Sequence, residues 1–138
     1  PLIPADPRAA LDVRFMDRFF DLHVIAPVQH AVNAALTGNA ERKAEGVAWA
    51  AEKLEKAYAW LEGMWAGRTW AAGESFSLAD CAAAPSLFYA DWTHPIAATY
   101  PQLRAYRARL LARPSFARAV EGGRTYRHYF PLGAPDRD

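Results

Sequence analysis

Gly73-Glu-Ser-Phe-Ser-Leu-Ala-Asp-Cys-Ala-Ala-Ala-Pro-Ser-Leu-Phe-Tyr-Ala-Asp-Trp92 carries a polar loop into an apolar helix with a complete start signal. Ser77 is the expected N-cap. Its hydroxyl can accept from the amide of Asp80, while the Asp80 carboxylate reaches back to the Ser77 amide, a capping box with Asp in the usual Glu or Gln place. Phe76 before the cap and Cys81 in the first turn are set to close over it as a hydrophobic staple. Between Asp80 and Asp91 no charge interrupts the run, and Leu78, Cys81, Ala82, Leu87, Phe88 and Trp92 fall on nearly every side. A helix apolar all round is a central one, so other helices must surround it. Pro85 removes one helical hydrogen bond and predicts a kink or an offset turn in the middle.

Outward from this stretch, the chain supplies those other helices. Residues 1–6 read as an extended linker, because Pro1 and Pro4 oppose helix. Asp6-Pro7 then starts a helix, with Asp6 as N-cap and Pro7 at the first helical position. Leu11, Phe15, Phe19, Leu22, Ala26 and Val32 mark its apolar side, while Arg14, Asp17, Arg18 and Asp21 form a polar stripe. It runs to about Leu36, with a kink expected at Pro27 and a stop at Gly38. At ~1.5 Å per residue it spans roughly 45 Å, longer than a small core requires, so part of it should serve another surface.

Asn39 caps a second helix running to about Trp65, with Val47, Ala51, Leu54, Tyr58, Leu61 and Trp65 as its core stripe and Glu52 paired with Lys56 on the wet side. Thr93-His-Pro95 ends the central helix. Pro101 opens a fourth helix carrying Leu103, Tyr106 and Leu110, and Pro114 opens a fifth carrying Phe116, Ala117 and Val120 up to Gly122-Gly123. Residues 124–138 form an irregular aromatic and basic tail. Five helices and no credible strand predict an all-α bundle over residues 7–123 with a buried, capped central helix.

Composition excludes several function classes. A length of 138 residues suits one domain, and the formal net charge of +1, with 22% charged residues, draws the chain to neither nucleic acid nor a membrane surface. No apolar run reaches the ~20 residues of a membrane span. The single cysteine permits no internal disulfide and suits a reducing, cytoplasmic compartment. The chain starts at Pro1 without methionine, as it would after loss of an initiator Met or of an upstream part. Arginine outnumbers lysine, a bias that fits a bacterial gene.

The segment Phe76-Ser-Leu-Ala-Asp80, followed by small residues and Pro85, resembles the capped central helix of the all-helical C-terminal domain of glutathione S-transferases. The helix order extends the resemblance over essentially the whole chain: two long helices, a loop, the central helix, and two shorter ones in Tyr100-Pro-Gln-Leu-Arg-Ala-Tyr106 and Arg113-Pro-Ser-Phe116. Leu2-Ile-Pro-Ala-Asp-Pro7 looks like the segment that follows the family's N-terminal thioredoxin-like domain. That domain, with its βαβ pattern and its catalytic Tyr, Ser or Cys, is not in these 138 residues.

The resemblance implies a division of labour. Glutathione, the co-substrate, would be bound and activated mainly by the thioredoxin-like partner domain, and the helical domain would wall the pocket for a small hydrophobic electrophile. It nominates Phe15, Phe19, Tyr89 and Trp92, with Tyr126 from the tail as a lid, and it implies a homodimer. It places no catalytic residue in this chain. A non-catalytic protein-interaction module of the same fold is the alternative.

The residues themselves offer little other chemistry. Cys81 is the one thiol and lies near a helix N-terminus, which lowers thiol pKa, but an all-apolar helix argues for an inert core residue. His23 and His30 lie seven apart without an acidic or Cys ligand at metal-binding spacing, so no metal is expected. Asp80 is explained by the cap without acid-base chemistry. Arg104, Arg107, Arg109, Arg113 and Arg118 read as a solvated face rather than a nucleic-acid patch.

Overall fold

The computed structural model describes residues 1–65 and 67–138. Asp6 caps the first helix by accepting from the Ala9 amide at 2.8 Å, with Pro7 in the first turn. That helix is one rod in three parts: α1 (Pro7–Phe19), a π-helical segment (Phe20–Ile25) and α2 (Ala26–Leu36). The irregularity expected at Pro27 is thus found in a six-residue segment that ends at Ile25, two residues before it. Proline has no N–H and its ring crowds the carbonyl four residues back, and a widened turn re-pairs the strand of carbonyls, as in the Ala26 amide bonding Asp21 O. Gly38, at φ +71°, lets the chain reverse.

Asn39 accepts from the Arg42 amide at 2.9 Å and opens α3 (Ala40–Gly63). It ends two residues before Trp65, the end expected from its stripe. α2 and α3 form the most extensive helix pair. They approach closely because Gly46 faces Ala31 and Ala34: a Cβ built on Gly46 would sit 2.5 Å from the Ala34 Cβ. A loop containing an isolated bridge between Trp70 and Gly73 leads to α4 (Leu78–Thr93), followed by α5 (Pro101–Ala112), α6 (Pro114–Gly123) and a 3-10 helix (Arg124–Tyr129). The described residues therefore form an all-α bundle of five rods. Residues 124–129 continue α6 as a 3-10 helix, so the tail is irregular only beyond Tyr129.

The core settles the register of each helix. Val13, Met16, Phe20, Val24 and Val28 are buried from the first rod, against Leu54, Tyr58 and Leu61 of α3, Ala83, Leu87 and Ala90 of α4, and Leu103, Tyr106 and Leu110 of α5. The apolar side expected for the first helix is therefore a second apolar face: Leu11 is 65% exposed, Phe15 56% and Leu22 54%. A rod with two apolar stripes can turn only one of them inward.

α4 is the centre, as its start signal predicts, but it is not buried all round. Cys81, Pro85 and Tyr89, spaced four apart, form an exposed stripe, so Cys81 is not a core residue. The helix stays α-helical through Pro85 with no offset turn. The Cys81 carbonyl that loses its helical partner to Pro85 belongs to this open side, where water can satisfy it.

Candidate functional site

The start of α4 is built on Asp80, which is fully buried. Ser77 and Asp80 meet as the capping box, with its strong half on the carboxylate: Oδ2 accepts from the Ser77 amide at 2.8 Å and from the Ser77 hydroxyl at 3.1 Å. Oδ1 accepts from the Ala71 amide at 2.9 Å and from the Tyr106 hydroxyl at 2.6 Å. One side chain therefore ties together the cap, the preceding loop and α5. Burial, then the adjacent Asp80 charge, pushes the Tyr106 phenol well above its ordinary range, which keeps it a donor. The Leu2 carbonyl accepts from the Leu78 amide at 2.9 Å, fixing the N-terminal segment beside this same helix start.

From that anchor α4 carries its second half into a cavity of about 630 Å³ between α2, α4, α6 and the tail. Pro85, Phe88, Tyr89 and Trp92 form the α4 wall, Val28, Gln29 and Val32 the α2 wall, and Phe116, Ala119 and Val120 the α6 wall. Tyr126, Arg127, Tyr129, Phe130 and Pro131 close the remaining side. Phe130 stacks on Tyr89 with ring centres 5.6 Å apart and meets Trp92 edge-on at 5.5 Å. The Arg127 guanidinium lies 5.3 Å from the Trp92 ring centre, near enough for a cation–π contact. The walls are aromatic and aliphatic with few polar groups, which suits a small, flat, apolar ligand.

Three of the five residues nominated for the electrophile pocket meet at this cavity: Tyr89, Trp92 and Tyr126. Phe15 and Phe19 lie elsewhere. Both pack on Trp60 of α3, at 6.1 and 4.3 Å between ring centres, and Phe19 also meets His23 at 5.0 Å. With Trp49, which His30 meets at 4.4 Å, they make an aromatic face on the first rod and α3. Each histidine is thus set on its own aromatic partner, and no group of three metal-ligating side chains occurs among the described residues.

Cys81 lies in a smaller hollow with Phe76, Pro85 and Arg113. Partial burial of the thiol, and then the Asp80 charge, push its pKa up although the residue as a whole is exposed. That is the opposite of what an activated nucleophile needs.

The arginines expected on a solvated face divide. Arg104 and Arg118 are exposed, whereas Arg113 lies 3.7 Å from the Phe76 ring centre and Arg109 donates to Thr69 O at 2.7 Å. Arg107 turns inward to Asp91, a buried carboxylate in the last turn of α4. Sequence reading missed this pair, together with Phe88, Phe116, Phe130 and Arg127 of the cavity. Phe116 and Phe130 stand in segments already noted as apolar or aromatic, but nothing local signals that Asp91 meets Arg137 across 46 residues.

Comparison with known proteins reports the same architecture. Residues 14–114 match the family model described as glutathione S-transferase, C-terminal domain. A glutathione S-transferase from Methylobacterium radiotolerans, solved in complex with glutathione sulfonate, is 30% identical, with a TM-score of 0.70 over 87% of this chain and 57% of that one. A glutathione transferase homolog from Sulfitobacter with bound glutathione is 21% identical, with a TM-score of 0.70 over 88% of this chain and 66% of that one. A glutathione S-transferase from Sinorhizobium meliloti is 21% identical, with a TM-score of 0.72 over 95% and 63%. The latter two likenesses are of fold. The chain thus spans between about half and two thirds of the length of these solved proteins. No curated protein sequence matches it significantly.

Proposed function

Since the chain belongs to the glutathione S-transferase C-terminal domain family, we propose that it is the substrate-side helical domain of a glutathione S-transferase-like protein, receiving a small hydrophobic electrophile in the cavity beside α4. The observation that carries this reading is the convergence of Tyr89, Trp92 and Tyr126 on one apolar cavity next to the domain's central helix. Glutathione enters as co-substrate, bound chiefly by an N-terminal thioredoxin-like domain. The location of the Leu2 segment against the start of α4 supports an attachment at that end. Activation of the glutathione thiol belongs to that partner domain, because the one thiol here has a raised pKa and sits in the small hollow rather than among the cavity walls.

The aromatic face of Phe15, Phe19, Trp60 and Trp49 supports a second part of the proposal, contact with another copy of the chain in a homodimer. Exposed apolar patches of this kind mark interaction surfaces. The same face is what a non-catalytic assembly module of this fold would use, and activity separates the two readings. A cytoplasmic location is part of the proposal and fits the free cysteine.

The test joins this chain to a thioredoxin-like domain at Pro1 and measures glutathione-dependent conjugation of an aromatic halide. Tyr89→Ala, on the exposed stripe of α4, should raise KM for the halide roughly tenfold and leave KM for glutathione unchanged. A folded, soluble fusion that binds glutathione but conjugates nothing would overturn the enzymatic reading in favour of the assembly module.

A further inference from the structure

One carboxylate oxygen at the end of α4 has two guanidiniums competing for it. Asp91 is buried in the last turn of the helix, where its charge opposes the helix dipole and therefore needs a cation. Its Oδ1 accepts from the Ile96 amide at 2.7 Å. Its Oδ2 is hydrogen-bonded by Arg137 Nη1 of the tail, while Arg137 Nη2 donates to the Asp91 carbonyl at 2.8 Å. Arg107 Nη2 of α5 waits 3.4 Å from the same Oδ2, close enough for attraction, yet it is buried and without a hydrogen-bond partner among the described residues. Burial pulls the Arg107 pKa down, with Asp91 pulling the other way and Arg137 adding repulsion.

We propose that residues 130–138 are a strap over the aromatic cavity, latched by Arg137 on Asp91 and free to open because Arg107 then takes the vacated Asp91 oxygen. Releasing one partner of a buried ion pair is ordinarily expensive, since it leaves an uncompensated charge in the interior. Here the open state does not strand the carboxylate: Arg107, already within ion-pair range of Oδ2 when the strap is closed, stays beside Asp91, and its Nη2 closes to hydrogen-bond distance on the oxygen that Arg137 leaves. Arg137 is the partly exposed member, with a side-chain accessibility of 41% against 12% for Arg107, so it is the one that water can take up.

The strap has the parts such a motion requires. Gly133, at φ +89°, closes a turn through its amide to Phe130 O at 2.9 Å and supplies a pivot. Phe130 rests on Tyr89 and Trp92, so lifting it uncovers two aromatic residues of the α4 wall. Asp138 pairs with Arg124 and Arg127, two more ion pairs that water and salt weaken. The strap therefore gates the cavity rather than sealing it.

The gating of ligand rests on the reading of the cavity as a site for apolar molecules, whereas the latch itself does not, and the experiment separates the two. Amide hydrogen exchange of residues 130–138 is followed in the full chain without ligand, and release of the neutral apolar probe N-phenyl-1-naphthylamine is followed by stopped flow. Arg137→Ala should speed both strap exchange and probe release about tenfold while leaving the thermal midpoint nearly unchanged. Arg107→Gln, which removes the substitute partner, should slow both, because opening then strands Asp91. The opposite signs from two arginines on one carboxylate are the signature of exchange, which a merely structural ion pair would not produce.

Equal acceleration in both variants, or no change in strap exchange with Arg137→Ala, would overturn the latch. A midpoint drop in Arg137→Ala like that of a broken buried pair would overturn the takeover by Arg107. Failure of the wild-type chain to bind the probe would sink the cavity reading instead, with strap exchange still deciding the latch. Arg137→Lys, which keeps a cation but loses the fork, should fall between wild type and Arg137→Ala.

Discussion

Asp80 shows how much of this fold hangs on a single carboxylate. It is fully buried yet accepts four hydrogen bonds, from the Ser77 amide and hydroxyl, the Ala71 amide and the Tyr106 hydroxyl. Buried polar groups are tolerable only when satisfied in this way. The Tyr106 bond depends on a protonated phenol, as does a second one elsewhere, Tyr58 donating to His94 O at 2.9 Å; burial raises the pKa of both phenols. A group whose folded pKa lies above its unfolded value of about 10 contributes stability that is complete below that value and declines as pH rises through the window between the two. The thermal midpoint should accordingly be flat toward pH 9 and fall from about pH 10 upward. Tyr106→Phe should flatten that fall while lowering the midpoint at neutral pH by the loss of one charge-assisted bond, about 1.5–3 kcal/mol. A midpoint indifferent to pH between 9 and 11 would contradict the assignment of these phenols as buried donors.

Among the helices, the tightest constraint lies where α2 crosses α3. Gly46 is buried there, and a Cβ on it would meet the Ala34 Cβ at 2.5 Å, a distance that forces the backbones apart. The core is packed too densely to absorb such a shift at no cost. Gly46→Ala should destabilise the chain by about 1–3 kcal/mol in denaturant unfolding, in spite of alanine's better helix propensity. Ala34→Gly added to it should recover much of the loss, because it removes the atom that is struck. No recovery in the double variant would show that the crossing is not limited by this contact. The signal was present in the sequence as a glycine inside an otherwise good helix, but a lone helical glycine is compatible with many causes, and its partner lies on another rod.

At the scale of the whole molecule, the described residues present the cavity beside α4 and the aromatic face of α1 and α3 as apolar surfaces outside the core. The second should make the chain self-associate, and Trp60→Ser with Phe15→Ser should shift it toward monomer by about tenfold or more in dissociation constant, read by sedimentation, while the thermal midpoint at low concentration changes little. A wild-type chain that stays monomeric at high concentration would remove that face as an interface. The capping box, the helix order, the caps at Asp6 and Asn39 and the core stripes of α3 and α5 were determined by the sequence alone, because each rests on spacing within a few residues. The first helix carries two apolar stripes: Leu11, Phe15 and Leu22 are as apolar as Val13, Met16 and Phe20, and periodicity cannot say which of two apolar faces turns inward. Only the tertiary structure decided that, along with the separation of Phe15 and Phe19 from Tyr89 and Trp92, and the meeting of Asp91 with Arg107 and Arg137. Local spacing fixes a helix and its ends, but the face that is buried and the partners of a buried charge are chosen by packing between segments far apart in the chain.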